Sequence, residues 1–173
     1  NATLRLDPDG TGGSSVDTTW NETLLLSGGT LSNRRRNNVW QGSVVLQANS
    51  VISAGASTSL TISSAISEEA GSFGFTKGGD GTVISTNTNT FTGATNVTGG
   101  VLEAGTTGGF NSSTALNLAA GTFRLGANQV FNDAAAVSFG AGGILQANGF
   151  SEILGVVAVN GAGTVDLDAA SGI

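Results

Sequence analysis

The sequence predicts an all-β chain, a right-handed parallel β-helix built as a solenoid of several coils of about 20 residues each. Three observations predict it. Short alternating runs recur along nearly the whole chain, and Gly, Asn or Ser punctuates nearly every gap between them. No window of about a dozen residues keeps a helical period without a Gly or a β-branched cluster breaking it.

The runs span residues 2–6, 22–26, 43–46, 59–62, 81–84, 100–103, 115–118, 122–125, 136–139, 143–146, 156–159 and 164–168. Alternation assigns their faces. Leu4 and Leu6 oppose Thr3 and Arg5, Phe123 and Leu125 oppose Thr122 and Arg124, and Val165 and Leu167 oppose Thr164, Asp166 and Asp168. Strands this short cannot bury an apolar face alone, so each needs a near-identical neighbour stacked on it. An antiparallel sandwich also uses short strands, but hairpin signals are sparse: Asn148-Gly149 and Asn160-Gly161 are the clear pairs.

Composition agrees with many turns and short strands. Only 10% of the 173 residues are charged, 28 are Gly and one is Pro, while the hydrophobic share of 39% is too high for a disordered chain. The formal net charge of -6 gives no basic footprint for nucleic acid. No run of about 18 apolar residues offers a helical membrane span. Without Cys there is no disulfide framework and no thiolate metal site, and without Met the chain reads as a processed or excised piece of a longer protein. Residues 1–173 are expected to form one β-helix segment.

Within it, Gly74-Phe-Thr-Lys-Gly-Gly-Asp-Gly-Thr-Val83 is followed by Asn89-Thr-Phe-Thr-Gly-Ala-Thr-Asn-Val-Thr-Gly-Gly-Val-Leu102. Residues 74–104 resemble the autotransporter-associated β-strand repeat. Lys77, Gly79, Gly81, Thr82, Asn89, Thr90, Gly93, Thr95, Val97, Gly100 and Leu102 stand at that family's positions. Phe91 replaces its usual Tyr and Phe75 its usual Leu. The resemblance implies a passenger-type β-helix, exported and often retained at the cell surface, with a structural motif and no catalytic residue. Glycines suit corners that need positive φ. Asn89 is expected to join a ladder of stacked side-chain amides between coils.

The remaining candidates have modest readings. Asp7-Pro8-Asp9-Gly10 lacks the later ligands of a Ca²⁺ loop and reads as an acidic turn. Asp166 and Asp168, two apart on one strand face, have the spacing of paired glycosidase carboxylates, which any exposed alternating strand also gives. Arg34, Arg35 and Arg36 form the only basic cluster, a solvated loop or a contact for anionic glycans. Glu68-Glu69 reads as a solvated loop of opposite sign. Trp20 and Trp40 are expected to anchor the core or cap a solenoid end rather than to stack sugars.

With no His and no Cys, nucleophilic triads and zinc hydrolysis lack their parts, and no cofactor site is expected. The functional expectation is a non-enzymatic structural or adhesive stalk of a bacterial surface or secreted protein. Its expected partners are further coils of the same helix, end-to-end copies of itself, or surface glycans. The alternative is a β-helical lyase or hydrolase acting on acidic polysaccharide.

Overall fold

The computed structural model describes residues 2–7 and 17–166. Among these residues there are strands and no helix, and every strand pairing is parallel. The strands stack into a β-solenoid. Its first coil holds β1 (Thr3–Leu6), β2 (Thr19–Trp20) and β3 (Leu24–Ser27). The second holds β4 (Thr30–Asn33), β5 (Asn37–Trp40) and β6 (Val44–Ala48). The third holds β7 (Ser50–Ala54), β8 (Ser59–Ile62) and β9 (Ile66–Glu68).

From the fourth coil on, two strands remain per coil. They are β10 (Phe75–Gly78) with β11 (Thr82–Ser85), β12 (Thr95–Val97) with β13 (Val101–Ala104), and β14 (Ala115–Leu118) with β15 (Thr122–Leu125). The last two coils carry β16 (Ala136–Phe139) with β17 (Ile144–Gln146), and β18 (Val157–Val159) with β19 (Thr164–Asp166). The first sheet runs β1-β4-β7-β10-β12-β14-β16-β18 and the second β2-β5-β8-β11-β13-β15-β17-β19, while the third stops after β3-β6-β9. Parallel strands joined by such corners take the right-handed crossover that strand twist imposes. Coil length is close to the expected value: Asn96, Asn117 and Ser138 lie in register 21 residues apart.

Inward positions form columns through the stack. On the first sheet one column reads Leu31, Ile52, Lys77, Val97, Leu118 and Phe139. On the second, Leu60, Val83, Leu102, Phe123 and Leu145 align, and all five are buried. Each strand alone exposes its apolar face; the coil above and the coil below remove it from water.

The third face changes character where its sheet ends. Loops continue the main-chain ladder there, with Thr90 N donating to Ile66 O (3.0 Å), Asn89 N to Gly109 O (3.0 Å) and Phe110 N to Val130 O (2.7 Å). These loops turn Phe91, Phe110 and Phe131 inward, all buried, onto Phe75 and Phe123 from the two sheets. The rings meet edge-on, tilted or stacked, with centroids 5.4–6.4 Å apart. A core of rings thus replaces a sheet as the filling of coils four to six.

Candidate functional site

The motif residues gather at one corner and one loop of coils four and five. Lys77 occupies an inward position between Ile52 and Val97 and is fully buried. Its ammonium does not reach solvent; Nζ donates to the carbonyls of Gly78 (3.0 Å), Gly79 (2.8 Å) and Gly99 (2.8 Å). The side chain therefore ties the corner after β10 to the corner after β12. Burial pushes its pKa from 10.5 down to about 8, against the upward pull of Asp80. Gly79 and Gly100, with φ of 73° and 58°, shape these two corners, and a Cβ on either would run into the backbone of the preceding coil.

Asn89 is buried and bridges three coils. Its Oδ1 accepts Ile66 N (2.8 Å) from the coil before, and its Nδ2 donates to Gly109 O (2.7 Å) in the coil after and to Ser85 Oγ (3.0 Å). This differs from the expected amide ladder, because Asn89 stacks on backbone groups rather than on other amides. The physical reason is its place just where the third sheet has ended, where main-chain partners are in need of satisfaction. An amide ladder does exist elsewhere, on the outer face of the first sheet. There Asn117 donates to Asn96 Oδ1 (2.8 Å) and Ser138 Oγ to Asn117 Oδ1 (2.8 Å).

The other motif residues are parts of the stack. Phe91, Val97 and Leu102 are core, and buried Thr95 shares a hydrogen bond with Ser113 Oγ (3.0 Å). Thr82 starts β11 and faces outward, Thr90 is exposed on the loop, and Gly81 and Gly93 are buried where coils touch closely.

Arg34, Arg35 and Arg36 form the corner between β4 and β5. Two fully buried amides hold that corner: Asn33 Nδ2 donates to Arg36 O (3.0 Å), and Asn38 Nδ2 to Arg35 O (2.8 Å) and Asn33 Oδ1 (2.6 Å). Arg34 and Arg35 are exposed, and Arg35 Nε lies 3.3 Å from the Asp7 carboxylate. Trp40 is buried and Trp20 stacks on it from the first coil, centroids 6.3 Å apart, as core-anchoring residues do.

Glu68 corrects the expectation of a solvated loop. Its Oε2 accepts Phe73 N (2.6 Å), and its Oε1 accepts Thr92 N (3.0 Å) and Thr92 Oγ1 (2.7 Å), so the carboxylate caps the end of the third sheet. Glu69, exposed beside it, accepts Gln47 Nε2 (2.7 Å). Glu152 caps further loops in the same way, accepting Val130 N (2.7 Å) and Phe131 N (3.3 Å). Burial raises the Glu152 pKa above its ordinary value and nearby Asp133 pushes the same way, while the two N–H donors pull it down. Pro8, Asp9 and Gly10 of the acidic turn, with Leu167 and Asp168, lie outside the described residues.

On the outer face of the second sheet, Glu103 and Arg124 face each other in register. Arg124 donates through Nε (2.9 Å) and Nη2 (2.5 Å) to one Glu103 oxygen, so the pair neutralises itself. A recess of about 430 Å³ lies on the third face and is lined by Asn111, Gln129, Phe131, Asn132 and Asp133. Among the described residues no group of three or more His, Cys, Asp or Glu side chains can hold a metal ion.

With known proteins the chain shares no match: no family model, no curated protein and no solved structure. Chemically, then, its polar side chains act mostly on its own backbone. Lys77, Asn89, Glu68 and Glu152 each satisfy main-chain groups of neighbouring coils, and the recess beside Asp133 is where side-chain amides turn outward. No run or motif in the sequence marks that recess. Its signal is the crowding of Asn and Gln at corners one coil apart, which becomes visible once the coil length is known.

Proposed function

We propose that this chain is a non-catalytic, adhesive or filament-forming stalk segment of an exported bacterial surface or secreted protein. The observation that carries this reading is where the polar side chains point their chemistry. Lys77, Asn89, Glu68 and Glu152 join one coil to the next, and Glu103 pairs with Arg124. A stack fastened this way suits a load-bearing extension. The motif at 74–104, with its resemblance to the autotransporter-associated β-strand repeat, supports export and surface retention.

The apolar side chains exposed on the outermost described coils support end-to-end association. The last described coil leaves Val157, Val159 and Val165 exposed, and the first leaves Leu4 and Leu25 exposed. Among the described residues, edge strands β1 and β18 each pair on one side only. The partner of such an edge is another coil of the same geometry.

The second reading, a lyase or hydrolase of acidic polysaccharide, has one foothold, the raised pKa of Glu152 near Asp133. Glu152 is already committed to two backbone N–H groups, which suits a cap better than a general acid. Incubating the chain with polygalacturonate tests the choice. No unsaturated or newly reducing product is expected, and product whose formation Glu152→Gln abolishes would overturn the stalk reading.

A further inference from the structure

We propose that the recess on the third face binds one uncharged sugar residue of a glycan chain. This names a partner class for the adhesive reading above and rests on it. The volume of about 430 Å³ falls in the range of small-molecule sites. Its lining is three side-chain amides, one carboxylate and the edge of buried Phe131, so its exposed surface is mainly polar. A polyhydroxylated ligand suits that lining; an apolar one does not.

The hydrogen-bonding inventory is specific. Asn132 Oδ1 is occupied by Ala134 N (2.9 Å), which leaves Nδ2 to donate. Among the described residues the Asn111 amide has no partner. Asp133 receives only a long contact from Gln129 Nε2 (3.4 Å), so its oxygens are free to accept. Two amide donors beside a carboxylate acceptor match adjacent hydroxyls, each of which both donates and accepts.

Gln129, which lines the recess, has φ of 48°, a left-handed conformation it shares with Arg36, Ser57, Ala70 and Asn148. Three hydrogen bonds fix it there: Gly108 N to its carbonyl (2.8 Å), its N–H to Ser151 O (2.9 Å), and Ile153 N to its Oε1 (2.9 Å). Charge selects against anions: Asp133 lines the recess, Glu152 is nearby, and the whole chain carries -6. A uronic acid or phosphate is disfavoured there, and a single lining carboxylate is too little for a divalent cation.

The test is an amide NMR titration of the ¹⁵N-labelled 173-residue chain with three probes. These are a glucose tetrasaccharide, an N-acetylglucosamine tetrasaccharide and tetragalacturonate. The side-chain amides of Asn111 and Asn132 are expected to shift with at least one neutral probe and not with the uronate. Asn111→Ala and Asp133→Ala are each expected to weaken that binding about tenfold with unchanged melting curves. The proposal is overturned if neither neutral probe shifts those amides, or if the uronate binds as well. It also fails if both variants bind like the parent, or if Ca²⁺ alone reproduces the shifts. Solution scattering of the same sample scores the stalk separately, so a silent titration on an associating solenoid removes the recess alone.

Discussion

Lys77 donates from Nζ to the carbonyl oxygen of Gly99, 2.8 Å away and one coil further on. A cation thereby sits in a column whose neighbours above and below are Ile52 and Val97. Its three carbonyl partners offset part of the cost of burial, and burial still holds its pKa below the ordinary lysine value.

That relationship predicts an unusual pH dependence. Lys77 is the chain's one lysine, and with no His, Cys or Tyr the chain has little else to titrate between pH 7 and 11. The folded pKa of about 8 lies below the unfolded 10.5, so between these values the unfolded chain binds more protons. Stability therefore rises as pH rises from about 8 to about 10.5, by up to about 3 kcal/mol. Urea titrations at pH 7 and pH 10.5 read it directly, and in Lys77→Met the rise disappears.

Removing the bridge at Asn89 leaves Ile66 N without its buried side-chain partner, while Gly109 O keeps the main-chain N–H of residue 89. Asn89→Ala is expected to cost about 1–3 kcal/mol, the penalty of orphaning a buried donor. Thr90→Ala next door, at an exposed side chain, is expected within about 0.5 kcal/mol of the parent. Equal effects at both positions in denaturant unfolding would remove the bridge from the account.

The cap at Glu152 has the opposite pH sense to Lys77. Its folded pKa is raised, so its contribution is fullest below the ordinary carboxylate pKa and is lost as pH rises through the folded value. Glu152→Gln keeps an oxygen for Val130 and Phe131 without the buried charge. It should match or exceed the parent in stability at pH 7, and the difference should shrink toward pH 4. Thermal melts of the two proteins at both pH values check it.

Phe110 touches Phe75, Phe91, Phe123 and Phe131, and it is fully enclosed. Phe110→Ala is expected to cost about 3–5 kcal/mol through lost burial and a cavity. Leu25→Ser, at a side chain 55% exposed, should be near neutral. Calorimetric melts of both variants compare the two sites.

Much of the fold is legible because alternation is clean where both inward positions are apolar. The runs at 59–62, 115–118, 122–125 and 136–139 coincide with β8, β14, β15 and β16. Alternation fails where polar groups point inward. β4 buries Asn33 beside Leu31, β5 buries Asn38 beside Trp40, and β7 buries Ser50, so none of these stands out by hydrophobicity. The motif marks the right corner of the stack, but the targets of Lys77, Asn89 and Glu68 are backbone atoms some 20 residues away. Those partners are set by coil length and corner shape, which no local pattern records. The recess is hidden for the same reason, since Asn111 and Asp133 become neighbours only through stacking.

The most direct test of the stalk is small-angle scattering of the purified chain over a concentration series. A single short solenoid is expected when dilute, lengthening along its axis as concentration rises while its cross-section stays constant. A particle that keeps one compact shape at every concentration would contradict it and return the enzymatic reading to the front.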